Sequence, residues 1–92
     1  DSTTQKYIRE IEEAIIKAVR TVAQTYTKKL KAQNAFGEAE EKIANRKAIE
    51  VARASLSSGA VSYISKTYGD VDTFLSNGIE STLNAIKDAK KN

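Results

Sequence analysis

Apolar residues recur at helical spacing along most of the chain, and the longest stretch with this pattern covers residues 4–33. One set of apolar residues steps by three and four, and a second set takes the same steps on an adjoining face. The stretch contains neither glycine nor proline, so we predict one long helix of roughly 45 Å. The first set is Ile8, Ile11, Ile15, Ala18 and Val22; the second is Ile16, Val19, Ala23, Tyr26 and Leu30.

Three shorter helices are predicted to follow, over about residues 38–56, 59–68 and 71–89. A Ser-Ser-Gly sequence at residues 57–59 interrupts the apolar pattern between the first two, and either serine could cap the helix that follows. One continuous helix over residues 38–68 is the alternative, because a glycine inside a helix costs only about 1 kcal/mol.

Glycine and aspartate mark further features of the last helix. Asp70 is its predicted N-cap, because an aspartate side chain can accept hydrogen bonds from the free backbone N–H groups of a first turn. Gly69, just before it, suits the left-handed backbone that follows many helix C-termini. Gly78 interrupts the last helix itself, and we expect it to mark a close contact with a neighbouring helix.

These elements predict an all-α fold in a single domain, residues 1–92. One long N-terminal helix packs against two or three shorter helices, as a helical hairpin or a small bundle. The shorter helices contain too few residues to cover a rod of roughly 45 Å along its whole length, so the N-terminal third should remain uncovered. Ile8, Ile11 and Ile15 would then form an exposed seam that pairs with a second copy or a partner helix, as in a coiled coil.

The composition offers little that could support catalysis. The chain contains no cysteine and no histidine, which removes the thiolate nucleophile, the commonest general base and the commonest transition-metal ligand. The carboxylates are predicted to lie among lysines on solvated faces, where burial does not separate their pKa values for acid–base work. We therefore expect no enzyme activity, no catalytic residue, no metal site and no cofactor.

Charge and hydropathy limit the partners. The formal net charge of +3 arises from 15 basic and 12 acidic residues, a balance typical of a mixed, solvated surface. The basic residues occur in short groups without interleaved aromatic residues, so nucleic acid is not an expected partner. Weak binding of an anionic polymer is the third-ranked interpretation. No run of 18 apolar residues occurs, so these residues are not expected to span a membrane.

Several short motifs occur in an order that suggests a family. Val22-Ala23-Gln24-Thr25-Tyr26 is followed by Lys29-Leu30-Lys31 and Phe36, and later by Leu56-Ser57, Tyr68-Gly69-Asp70-Val71, Leu75 and Ile79-Glu80. Over roughly residues 14–87 this order resembles the soluble region of phage holin-like proteins of the LLH type (holin superfamily 6). The resemblance implies an amphipathic helical domain that follows one N-terminal membrane helix. It also implies a protein that oligomerises in the host inner membrane and opens it, releasing or activating the endolysin.

The leading functional hypothesis is therefore a soluble helical domain of a holin-like protein that mediates self-association beside the host membrane during lysis. Its expected location is the cytoplasm, or the cytoplasmic face of the host inner membrane if a membrane helix precedes Asp1. We expect about 20 further apolar residues before Asp1, because the chain starts without methionine, the long helix begins with a seam expected to be under-covered, and the resemblance places a membrane helix there. The alternative is an ordinary soluble protein whose methionine or a short tag was removed. The alternative hypothesis is a non-enzymatic helical protein-interaction module, such as a phage or bacterial adaptor unrelated to lysis.

Overall fold

Four helices make up most of the chain that the computed structural model describes, residues 1–91. The first, α1, spans residues 2–32 and consists of two α-helical segments joined by a π-helical turn. The prediction of an all-α fold, with a long N-terminal helix packed against shorter ones, is confirmed. The segments of α1 are Ser2–Val22, the π turn Ala23–Thr27 and Lys28–Ala32; α2 is Glu38–Ala54, α3 is Ser58–Tyr68 and α4 is Val71–Lys91.

Local hydrogen bonds close both ends of α1. Asp1 Oδ1 accepts from the backbone N–H of Thr3 at 3.0 Å, so the helix begins slightly earlier than predicted. At the other end the Ala35 N–H donates to the Leu30 carbonyl at 2.8 Å. Asn34 lies between these two residues with a φ of 54°, the left-handed backbone that a Schellman motif requires.

A serine cap separates α2 from α3. Ser57 has an extended backbone, and its hydroxyl accepts the Ala60 N–H at 3.2 Å, which is the geometry of an N-cap. Glu10 of α1 adds a second contact, because its carboxylate accepts from both the Ser57 backbone N–H and the Ser57 hydroxyl. The prediction of two separate helices is therefore confirmed, and the alternative of one helix over residues 38–68 is wrong.

α3 ends and α4 begins within two residues. Gly69 has a φ of 98°, a conformation that L side chains rarely adopt, and its N–H donates to the Ile64 carbonyl at 3.2 Å. Asp70 Oδ2 accepts from the backbone N–H of Thr73 at 2.9 Å and from the Thr73 hydroxyl at 2.8 Å, which confirms the predicted cap. The backbone hydrogen bond, followed by the hydroxyl one, lowers the pKa of the Asp70 carboxyl because both favour its charged form.

The core lies where the α-helical segment Ser2–Val22 meets the other three helices. Ile64 of α3 and Leu75 and Ile79 of α4 are its largest fully buried side chains. α2 contributes small buried side chains, so a neighbouring helix can approach closely. The buried alanines of α2 are Ala48 and Ala52; the buried residues of α1 are Ile11, Ala14, Ile15, Ala18, Val19 and Val22.

Two side-chain contacts fix the direction of α4. Arg53 Nη1 lies 2.7 Å from Asp72 Oδ1, and Ser76 Oγ lies 3.2 Å from Asn45 Oδ1, so α4 runs antiparallel to α2. The short connection at residues 33–37 folds α2 back along α1 as an antiparallel pair. It follows that α1 and α4 run parallel, side by side.

Two glycines allow α1 to approach its neighbours closely. A Cβ at Gly59 would lie 2.9 Å from Cζ of Tyr7, and a Cβ at Gly78 would lie 2.6 Å from Cδ1 of Ile15. Both distances are well below the roughly 3.5–4.0 Å of ordinary carbon–carbon contact. The expectation that Gly78 marks a close helix contact is confirmed, and Gly59 has the same role in the first turn of α3.

Gly78→Ala should destabilise the fold, although alanine alone favours a helix. The added methyl group collides with Ile15 Cδ1, and overpacking of a core typically costs about 1–3 kcal/mol of unfolding free energy. Ile15→Val removes Cδ1, so Gly78→Ala should be much less costly in the Ile15→Val background. Urea denaturation of the four proteins in this double-mutant cycle measures the coupling. Strictly additive effects would contradict the contact.

Asp70→Ala should lower the thermal stability, because it leaves the Thr73 N–H without its capping oxygen. Loss of such a cap in a domain of this size should lower the melting temperature by roughly 4–8 °C. Asp70→Asn is the matched control, since asparagine also supplies a capping oxygen. Thermal melts followed by circular dichroism compare the three proteins, and an Asp70→Ala melt identical to that of wild type would rule out the cap.

The same variants test the charge of Asp70. Because folding lowers its pKa, the stabilisation is complete above the ordinary aspartate pKa of about 4 and is lost as the pH falls through the lower folded-state pKa. The melting temperature of wild type should therefore fall more steeply below about pH 4 than that of Asp70→Asn. Parallel acid profiles would show that the carboxylate form contributes nothing beyond the cap.

Candidate interaction surface

The predicted seam lies inside the molecule for most of its length. Ile11 and Ile15 are only 4% and 8% exposed, whereas Ile8 is 41% exposed. The expectation of an uncovered face is therefore wrong for Ile11 and Ile15. The cause is the path of the shorter helices: α3 and the first half of α4 fold back over the N-terminal part of α1, the part expected to remain free.

An open groove runs instead between α1 and the second half of α4. Its volume is about 490 Å³, and Ile16 of α1 and Ile86 of α4 line it. These two isoleucines are 43% and 42% exposed, so each leaves much of its apolar surface in water. The remaining lining residues are mostly small: Val19 and Arg20 from α1, and Ser81, Thr82, Ala85 and Ala89 from α4.

A shallow depression of about 360 Å³ continues the groove onto the outer face of α1. It shares Ile16 and Arg20 with the groove and adds Glu13, Lys17, Thr21 and Gln24. We call the residues that line these two depressions the groove surface. Along α1 the acidic Glu13 precedes Ile16, and the two basic residues follow it, so opposite charges lie on the two sides of an exposed isoleucine.

The charges of the groove surface have no partner in the monomer. Among the side chains of residues 1–90, Arg53 forms an ion pair with Asp72. Neither Glu13 nor Arg20 forms an ion pair with any of these side chains. The Arg53–Asp72 pair is itself about half exposed, and such pairs contribute only about 0.2–1 kcal/mol. Glu13 and Arg20 are thus available to charged groups of another molecule.

The π turn Ala23–Thr27 overlaps the end of the groove surface at Gln24. Its i→i+5 hydrogen bonding adds a residue to a helical turn, which rotates the rest of α1 relative to a regular helix. Within the turn, Tyr26 lies beside α2, where Lys47 Nζ is 5.1 Å from the Tyr26 ring centroid. Sequence reasoning missed the turn. One available signal was Thr25, whose hydroxyl donates to the Thr21 carbonyl at 2.7 Å, a contact that often bends helices.

Four aromatic rings join α1, α3 and α4 near the start of α1. The ring centroids are 5.9 Å apart for Tyr7 and Tyr63, 6.3 Å for Tyr63 and Tyr68, and 4.5 Å for Tyr68 and Phe74. Burial raises the pKa of Tyr63, and the adjacent Tyr68 adds to the shift. Because the rings pack on one another, these aromatic side chains have a structural role.

Three carboxylates have structural roles in the fold. Glu10, expected on a solvated face, holds Ser57 at the start of α3, and this role was missed because the two residues are far apart in sequence. Asp70 caps α4 and Asp72 binds Arg53. Within the described chain, no group of three or more acidic, histidine or cysteine residues is placed to hold a metal ion. None of the helices that the structure describes has the length and apolar character needed to cross a bilayer.

Comparison of the chain with protein-family models, with curated proteins and with solved structures finds no significant match. The resemblance to holin-like proteins accordingly stays a hypothesis drawn from short motifs. The groove surface and its charges are the features of the fold that bear on function.

Ile11→Asp should unfold the monomer more readily, because Ile11 is a core residue. The substitution would place a carboxylate without a partner in the core and lower the unfolding free energy by about 3 kcal/mol or more. Ile8→Asp is the matched control on the same helix and should lower the unfolding free energy clearly less, because Ile8 is 41% exposed and its carboxylate can stay in water. Urea denaturation distinguishes them, and equally small effects would show that Ile11 is not in the core.

Proposed function

We propose that this chain is a non-enzymatic assembly domain that associates with a second copy of itself through the groove surface. The observation that carries the proposal is the exposure of Ile16 and Ile86 along one groove. Grouped apolar side chains with polar residues at their rim are typical of protein-interaction sites. Here the rim is supplied by Glu13, Lys17 and Arg20 of α1.

The accessible surface area also supports an assembly. The chain exposes 6445 Å², whereas a compact monomer of 10.1 kDa is expected to expose roughly 5,300 Å². The excess is more than the roughly 800 Å² that each partner contributes to a standard protein–protein interface. The elongated shape, 46 × 28 × 19 Å, accounts for part of this excess and provides a long flank for a partner to cover.

The resemblance to phage holin-like proteins supplies a setting for this association. In that setting, copies gather beside the host inner membrane before lysis, and this chain would be the domain that brings them together. A membrane helix upstream of Asp1 would then be the part that acts on the bilayer. The alternative function is an adaptor that offers the same groove surface to a different protein. The intact reading frame, with or without an apolar span before Asp1, separates these two settings.

Sedimentation equilibrium of the purified chain tests self-association. We expect a shift from monomer to dimer as the concentration rises through the micromolar range. Ile16→Asp and Ile86→Asp should each raise the Kd about tenfold or more, because each places a charge in the apolar centre of the interface. Ile8→Asp is the matched control, since Ile8 is equally exposed but does not line the groove.

The outcomes are distinct. A strict monomer at high micromolar concentration would contradict self-association and favour the adaptor. Equal weakening by Ile8→Asp and Ile16→Asp would show that association does not use the groove surface. Circular dichroism of each variant confirms that the monomer remains folded, so that a change in Kd reports the interface.

A further inference from the structure

We infer that the two copies associate antiparallel, with α1 of one lying along α1 of the other about a two-fold axis near Ile16. The inference rests on the proposed self-association and adds to it an orientation and a pair of intermolecular ion pairs.

The order of charges along α1 is self-complementary. Glu13 lies three residues before Ile16 and Arg20 lies four residues after it, about one helical turn on either side. All three line the same depression on the outer face of α1. When a second copy is turned antiparallel about Ile16, the Glu13 carboxylate of each copy lies opposite the Arg20 guanidinium of the other.

A parallel pair of α1 helices would instead bring like charges together. It would place Glu13 against its own counterpart and Arg20 against its own counterpart, and like charges at such positions are repulsive. Because neither residue forms an ion pair within residues 1–90, the monomer does not neutralise them. For Glu13 and Arg20 the antiparallel arrangement therefore replaces two repulsions with two attractions. Lys17 lies beside the axis and faces its own counterpart in either orientation, so Glu13 and Arg20 select the orientation.

The groove supplies the apolar part of the same contact. Ile16 and Ile86 line it, while Ala85 and Ala89 of α4 are small enough to let a partner helix approach. The partner's α1 therefore covers apolar surface on both α1 and α4. Two-fold symmetry requires the reciprocal contact on the other copy, so both grooves are covered together and the assembly closes as a dimer.

Charge reversal tests the orientation by sedimentation equilibrium. Glu13→Arg should raise the Kd about tenfold or more, since it turns two attractive contacts per dimer into repulsive ones. Arg20→Glu should do the same. The double variant should return the Kd to within about threefold of wild type, because the pairs re-form with reversed polarity. Glu50→Arg changes the net charge as Glu13→Arg does, but lies on an exposed face of α2, and should leave the Kd unchanged.

Cysteine cross-linking provides an independent measurement without background, because the chain contains no cysteine. A mixture of Glu13→Cys and Arg20→Cys should form a disulfide-linked heterodimer under mild oxidation, whereas either variant alone should form little. In the antiparallel pair the two copies of residue 13 are about 10 Å apart along the helix axis, beyond the roughly 7 Å between Cα atoms that a disulfide can span.

The results separate the orientation from the association itself. Efficient homodimers linked through residue 13, or charge reversals that behave like the Glu50→Arg control, overturn the antiparallel arrangement. If wild type still sediments as a dimer in that case, self-association stands with another orientation. A wild-type chain that never dimerises overturns both proposals.

Discussion

The close approach of α1 to α3 and α4 is the constraint on which the rest of the structure depends. It is possible because Gly59 and Gly78 have no side chain where Tyr7 and Ile15 of α1 come nearest. Both contacts lie in the first half of α1, so the shorter helices gather there and build the core around it. The two glycines thus lie where α3 and α4 come close to the part of α1 that is buried.

The groove surface follows from this arrangement. After Gly78, α4 continues beside α1 for about three more turns, and most of its residues there are exposed. The described side chains contain no buried nitrogen or oxygen atom without a hydrogen-bond partner. Apolar area around Ile16 and Ile86 stays exposed, and the charges of Glu13 and Arg20 have no ion-pair partner among the side chains of residues 1–90. An interface made of those elements combines a hydrophobic driving force with an electrostatic preference for one orientation.

The helices and their caps could be predicted from the sequence because their signals are local. The backbone of Gly69 and the side chain of Asp70 act within a few residues, and so does the cap at Ser57. The burial of Ile11 and Ile15 could not be predicted in this way, since it depends on the direction in which α3 and α4 cross α1. The periodic pattern of α1 holds no information about that direction. The exposure of Ile16, which the sequence placed in an apolar set, likewise depends on how α4 lies against α1.

The other helices bury residues in the first part of α1 but none in its last ten residues. The two parts of α1 therefore differ in local stability. Around Ala18, which is fully buried, the backbone is enclosed by packed neighbours, so its amide hydrogens exchange with solvent only when the whole domain unfolds. Neither the π turn nor the segment Lys28–Ala32 contains a fully buried residue, so amides there can exchange through small openings that leave the core intact. The π turn marks the border between a part of α1 that moves only with the whole domain and a part that can fluctuate by itself.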